Sequence, residues 1–296
     1  MKITVTGSLG HISLPLTKEL VSKGHTVTVI SSNAAKQKDI EALGAIAAIG
    51  SLEDLAFLTA AFTGADAAYC MEPPPSFFDH SIDHLGIYRK LAQNYKQAII
   101  SSGVKQVVHL SSIGGHTNKG NGLLAFHYDV EQVFNQLPDD VSIVFMRPVG
   151  FYYNLFAFIP VIKMQDAIVT NYGNIKEPWV ATQDIATAIA EEIAAPFKGR
   201  KVRYVASEEL TCDEVANIIG TAIGKPGLKW VAISNEEMEQ RYIAVGMAPF
   251  IANALVQMNA GRTSGVLYED YWRNPPVLGK TKLADFAKEF AAVFNQ

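Results

Sequence analysis

Ile3-Thr4-Val5-Thr6-Gly7-Ser8-Leu9-Gly10-His11-Ile12-Ser13 opens the 296-residue chain and decides its fold. The first four residues are apolar or β-branched and read as a buried strand. Apolar residues then recur at helical spacing over 11–23, and Gly24 stops the pattern. A strand that turns on glycine straight into a helix leaves the helix's unpaired N–H groups, and the positive end of its dipole, at the turn. Gly7 permits the tight turn, and Gly10 lets backbone approach a pyrophosphate with no Cβ in the way. Ser13 stands where a third glycine is usual and is small enough to keep helix and strand close. The pattern G-x-x-G-x-x-S in this setting predicts a dinucleotide-binding turn whose contacts are Gly7, Ser8, Leu9, Gly10, His11 and Ile12. The alternative is a glycine turn that serves topology alone.

Outward from this turn, strand and helix signals alternate. Strands are predicted over 26–30, 45–49, 67–71, 107–110 and 142–146, and helices over 36–43, 52–62, 80–101 and 125–137. This order predicts an α/β fold: a Rossmann-type, doubly wound parallel sheet with helices on both faces. The second half is less regular. A helix over 184–195, a strand over 202–206 and a helix over 211–223 are followed, from Gly227 on, by helical segments with irregular links. Residues 1–150 are thus expected to form the nucleotide-binding domain. Residues 151–296 would form a small, mostly helical substrate lobe, with 179–206 returning to the sheet. Gly261, Gly265 and Pro275-Pro276 mark a further loop, and residues 118–122 a mobile loop over the cofactor edge.

Composition narrows the function. Hydrophobic residues make up 49% and charged residues 18%, an ordinary balance for a packed protein. Twenty-five basic residues against twenty-nine acidic ones give a net charge of −4, which argues against a nucleic-acid partner. Cys70 and Cys212 are too few for a disulfide scaffold or a cysteine-rich zinc site, and imply a reduced, cytoplasmic chain. The apolar stretch 151–162 falls short of the ~20 residues that cross a membrane, and a strand beginning at Ile3 leaves no room for a signal peptide. His80 and His84 share a helix face but have no third ligand, so no metal is expected.

The end of the second strand reads the adenosine ribose. Ser31-Ser32-Asn33-Ala34-Ala35-Lys36 carries no acid, and the first carboxylate is Asp39. An acid there would chelate the ribose hydroxyls and repel a 2′-phosphate. Ser31, Ser32, Asn33 and Lys36 therefore predict NADP over NAD, with NAD still possible. A solvated helix face is the other reading of the lysine.

The loop Thr6-Gly7-Ser8-Leu9-Gly10-His11-Ile12-Ser13, the segment Arg147-Pro148-Val149-Gly150-Phe151-Tyr152-Tyr153-Asn154 and the segment Trp179-Val180-Ala181-Thr182-Gln183-Asp184-Ile185-Ala186 resemble the NmrA-like family. These are atypical short-chain dehydrogenase/reductases that include NAD(P)H-dependent quinone and azo reductases and redox-sensing regulators. The resemblance implies cofactor contacts at the other strand ends: Gly50, Ser51 and Leu52; Met71, Glu72, Pro73 and Pro74; Ser111 and Ser112; Pro148 and Phe151. It places Asn154 near the site, and Ile113 and Tyr152 are expected to help line the acceptor pocket.

The superfamily's proton donor is a tyrosine four residues before a lysine. Tyr128 is followed at that distance by Gln132. Aligning His127 with the lysine, with Glu131 four residues on, puts Leu123 in the tyrosine slot. His127 then contacts the nicotinamide end and titrates near neutral pH. An electron-poor, quinone-like or other aromatic acceptor can take hydride without a tyrosine acid, so an NAD(P)H-dependent oxidoreductase is expected, as a monomer or homodimer. The alternative is a catalytically silent NAD(P)-binding redox sensor.

Overall fold

The computed structural model describes residues 1–195 and 197–296. Its first half runs β1 (Lys2–Val5), α1 (Ser13–Ser22), β2 (Thr26–Ser31), α2 (Gln37–Ala42), β3 (Ile46–Ile49), α3 (Leu55–Phe62), β4 (Ala67–Cys70), α4 (His84–Ser102), β5 (Gln106–Leu110), α5 (Ala125–Phe134) and β6 (Ser142–Pro148). The second half runs β7 (Gly150–Phe151), α6 (Ile159–Gln165), β8 (Ala167–Thr170), β9 (Lys176–Val180), α7 (Thr182–Ala194), β10 (Arg200–Val205), β11 (Glu208–Thr211) and α8 (Cys212–Ala222). It closes with β12 (Lys229–Ala232), α9 (Asn235–Ala244), α10 (Pro249–Ser264), α11 (Glu269–Arg273) and α12 (Leu283–Phe294).

Seven parallel strands form the main sheet in the order β10-β6-β5-β4-β1-β2-β3. Strands buried on both faces need apolar side chains on both, and every residue of β4 and β6 is buried. Leu16 and Leu20 of α1, Ile40 of α2 and Ile185 and Ile189 of α7 cover one face. Phe62 of α3, Tyr88 and Tyr95 of α4 and Phe134 of α5 cover the other. The chain progresses in opposite directions on either side of β1 and β4, so a crevice opens at their carboxyl ends, where α/β sheets bind ligands. Thr6 stitches that edge: its N–H donates to the Tyr69 carbonyl at 3.1 Å, and its Oγ1 accepts from the Met71 N–H at 3.0 Å.

Two small sheets, β11-β9-β7 and β12-β8, build the second half with the remaining helices. Its core joins Leu155, Ile162, Trp179, Ile219, Trp230 and Phe290. Three expectations are corrected here. Residues 229–232 form a strand, not a helix: β12 pairs with β8, and the Trp230 indole donates inward to Thr170 Oγ1 at 2.8 Å. Gly261 lies inside α10, where a Cβ would collide with the Gly120 carbonyl. The 118–122 loop is docked, not mobile. Asn121 is fully buried, its amide donates to the Gly114 and Thr117 carbonyls at 2.9 and 2.6 Å, and Gly122 abuts the α10 backbone. Among the described residues, no helix is long and apolar enough to cross a membrane.

Candidate active site

Gly7 has φ +86°, a conformation that favours glycine, and a Cβ there would meet Ser13 Oγ at 2.6 Å. Ser8 follows with φ +54°, held by its N–H on the Ile30 carbonyl at 3.0 Å and by its hydroxyl on Ser31 Oγ at 2.9 Å. Gly10 is exposed, and a Cβ there would meet only the Gly7 carbonyl oxygen, at 3.1 Å. Its glycine therefore leaves room on the outer side of the loop. Among the described residues, no acceptor takes the N–H groups of Leu9, His11, Ile12 or Ser13. Helix α1 has no side-chain cap and no acid in its first turn. The contrast is with α3, α4, α8 and α9, whose first turns are capped by Asp54, Asp83, Thr211 and Ser234. A helix start with open amides and no carboxylate fits a pyrophosphate.

At the adenosine end, Ser31 is buried and its Oγ accepts the Asn33 N–H at 3.2 Å, while Ser32, Asn33 and Lys36 are exposed. Asn33 caps the following turn through Ala35 N–H at 2.9 Å. Lys36 pairs with Asp39 at 3.2 Å on the surface. Gly50 donates its N–H to the Ser31 carbonyl at 3.0 Å, joining β3 to the same edge. A Cβ on Gly50 would meet the Phe57 ring at 2.6 Å. Ser51 is exposed and Leu52 half-buried beside it.

Farther along, Met71 is half-buried and Pro73 and Pro74 are exposed. Glu72 turns inward instead: its side chain is 1% exposed and paired with His109 Nε2 at 3.0 Å, so only its backbone can reach a ligand in the crevice. Ser111 is also committed inward, donating to Glu131 Oε1 at 2.5 Å. Arg147 grips Glu131 with a two-pronged fork, Nε to Oε1 at 2.9 Å and Nη2 to Oε2 at 2.7 Å. Its Nη1 reaches Tyr204 at 3.2 Å and Asp270 at 3.1 Å. Burial works against this guanidinium's charge, but the fork on Glu131 outweighs it and holds the group charged. Glu131, placed four residues after His127 by the sequence, is thus a structural anchor. Ser112 is half-buried beside it, and Ile113 and Pro148 are buried.

His127 lies on α5 with Nδ1 buried and without a partner. Burial, reinforced by His109 and Arg147 nearby, pushes its pKa down to about 3. The ring is therefore neutral at physiological pH, which corrects the expectation that it titrates near neutrality. The two adjacent tyrosines after β7 face opposite ways. Tyr152 is 1% exposed and its hydroxyl is taken up by Glu208 at 2.9 Å, so it belongs to the core and not to a pocket wall. Tyr153 is the exposed ring, its centroid 3.7 Å from that of His11 of the glycine loop with the planes tilted by 38°. Asn154 is exposed and needs no protein partner, and Phe151 is half-buried where β7 pairs with β9. His80 and His84 diverge, each ring Nε2 facing a different carbonyl, Gly246 at 3.1 Å and Ser76 at 3.0 Å.

A sequence profile of the NmrA-like family matches residues 1–263. The chain belongs to the NmrA-like family. Across its whole length it is 24% identical to the NAD(P)H azoreductase of Xenophilus azovorans, covering 99% of both chains. Among solved structures it is similar to the NADPH-dependent quinone oxidoreductase of Escherichia coli complexed with NADPH, at a TM-score of 0.78 and 20% identity over 97% of this chain and 99% of that one. It is also similar to the triphenylmethane reductase of a Citrobacter species, at a TM-score of 0.77 and 20% identity over 99% of this chain and 100% of that one.

Within this NmrA-like fold, two buried histidines escaped sequence reasoning. His109 follows Val107 and Val108 in β5, a signal visible in the sequence, but its pairing with Glu72 depends on strand register. His116 has both ring nitrogens buried and unpartnered, and burial lowers its pKa.

Proposed function

We propose that this chain is an NAD(P)H-dependent oxidoreductase that passes hydride to a quinone-like or otherwise conjugated acceptor, with NADPH preferred. The uncapped start of α1 behind Gly7 and Gly10, at the switch point of the sheet, carries this reading. The relatives named as NAD(P)H azoreductase and NADPH-dependent quinone oxidoreductase support it. When bound, the reduced nicotinamide supplies hydride.

The chain's own residues then do the following. The amides of Leu9, His11, Ile12 and Ser13 receive the pyrophosphate. Ser32 and Lys36 face the 2′-phosphate, where no carboxylate stands to repel it except Asp39, which Lys36 already neutralises. Gly50, Ser51 and Leu52 border the adenine. Neutral His127 meets the nicotinamide end, and Pro148 and Phe151 back it. Residues outside the main sheet, with Tyr153 and Asn154 exposed at the crevice, form the acceptor side. Leu123, in the usual tyrosine slot, is buried in a cluster with Ile251 and Ala254 of α10 and donates no proton. Catalysis here consists of positioning donor and acceptor.

The experiment is a titration with NADPH and NADH, followed by addition of a menadione-type quinone. Binding of NADPH with quinone-dependent oxidation is expected. Binding without turnover on quinones, azo dyes and aldehydes would instead make the chain a redox sensor.

A further inference from the structure

The glycine loop supplies little charge of its own. Thr6 to Ser13 contain neither lysine nor arginine, and His11 is the one side chain among them that can become a cation. The diphosphate bridge of a nicotinamide dinucleotide carries about two negative charges, and a helix end offsets about half of one. Most of that charge is left without compensation. Other cations are engaged elsewhere. Lys18 lines a groove with Pro15 and Gln183 farther along α1, Lys36 pairs with Asp39 at the adenosine end, and Arg147 is locked to Glu131.

His11 stands directly after Gly10, and its own N–H is among the open amides at the start of α1. Its ring is exposed and lies against Tyr153, with centroids 3.7 Å apart and planes tilted by 38°. Tyr153 belongs to the other half of the chain, in the helical turn Tyr152–Phe158. That ring is braced from behind. Phe156 meets it edge-on at 5.4 Å and stacks in turn on Phe290 of α12 at 5.6 Å, with planes 3° apart. The contact therefore fixes the imidazole beside the open amides and joins the glycine loop to the second half. A tyrosine face also attracts a cation, so a protonated ring holds this contact more firmly than a neutral one.

We propose that His11, held by Tyr153, is the counter-charge of the cofactor's diphosphate, and that binding of the nucleotide takes up a proton at His11; the proposal rests on the cofactor half of the reading above. The proton comes from solvent and forms a new N–H bond on the imidazole, which then carries one positive charge beside the diphosphate. The anion favours the charged form of a neighbouring imidazole. By linkage, the charged imidazole favours the anion equally. Affinity is therefore higher at low pH and falls as pH rises. Tyr153 is a positioning residue that acts through His11.

The neighbouring groups leave this role to His11. The first turn of α1 holds no acid. From the second half, Asp184, Glu208 and Asp285 are close enough to act on the Tyr152 hydroxyl, one residue from Tyr153. Each is already engaged: Asp184 accepts from Ser207 Oγ and Thr281 Oγ1, Glu208 from the Tyr152 hydroxyl and the Leu283 N–H, and Asp285 pairs with Lys288. Phe156, Phe286 and Phe290 behind the turn are uncharged.

The test is calorimetric titration of the whole protein with NADH and with NADPH, repeated in buffers of different ionisation enthalpy, which counts the protons taken up. NADH is included because it lacks the 2′-phosphate, which itself titrates at about pH 6. For each nucleotide bound, wild type is compared with H11Q, an exposed substitution whose folding is checked by its melting temperature. Wild type should take up more protons than H11Q. Its affinity for NADH should fall by about tenfold from about pH 6 to 8, while that of H11Q stays nearly flat. H11K, charged throughout this range, should bind more tightly than H11Q with no such slope. Y153F keeps the ring face and should bind more tightly than Y153L. Equal proton uptake in wild type and H11Q, or H11K binding no more tightly than H11Q, would overturn the proposal. A wild type that binds neither nucleotide overturns the reductase reading itself, an outcome distinct from binding without proton uptake.

Discussion

Ser13 Oγ donates to the Thr6 carbonyl across 2.8 Å, tying the first turn of α1 to the end of β1 in a buried hydrogen bond. The third motif position is usually glycine because helix and strand must approach closely. Here a hydroxyl spans the approach and satisfies a carbonyl that the turn would otherwise orphan. The same oxygen occupies the space into which a Gly7 Cβ would project.

Gly7 and Gly10 should therefore fail differently. Gly7→Ala meets Ser13 and a positive φ, and should lose about 1–2 kcal/mol of stability together with cofactor affinity. Gly10→Val faces open space apart from the Gly7 carbonyl. It should melt close to wild type yet bind NADPH about 100-fold more weakly. Thermal unfolding beside a fluorescence titration separates the two.

Lys36→Glu should discriminate between cofactors. The pair with Asp39 is exposed and contributes little to stability. Reversing the charge beside the 2′-phosphate should weaken NADPH by about tenfold and leave NADH nearly unchanged. Equal losses for both would assign Lys36 to the solvated helix face.

The Arg147–Glu131 fork is a structural element, with side chains 7% and 4% exposed. Removing one partner leaves a buried charge: Glu131→Leu should cost about 3–5 kcal/mol in urea unfolding. Replacing both by apolar residues of similar volume should recover much of that loss.

His127 supplies a pH signature. Its folded pKa lies near 3, against an unfolded value of 6.5. Between these values the unfolded chain binds a proton that the folded chain refuses. Stability is untouched above pH 6.5 and falls as pH drops towards 3, by about 1.4 kcal/mol per unit from this one group. His127→Gln should flatten that part of the acid limb, measured by urea midpoints.

The parallel sheet was legible because its strands are short runs rich in apolar and β-branched residues that alternate with helices ended by glycines such as Gly24 and Gly103. The small sheets were not, because β8, β9, β11 and β12 have four or five residues each and owe their pairing to the lobe's core. The glycine loop could be read because backbone chemistry fixes which residues serve it. The inward turn of Glu72 and the burial of Tyr152 depend on strand register and on a hydroxyl captured by Glu208, which no local pattern encodes.

The most direct test of the account follows nicotinamide oxidation when a menadione-type quinone is added to wild-type and Gly10→Val protein with NADPH. The account predicts oxidation by the wild type and almost none by the folded variant. Equal rates in both, or an inert wild type with NADPH bound, would contradict it.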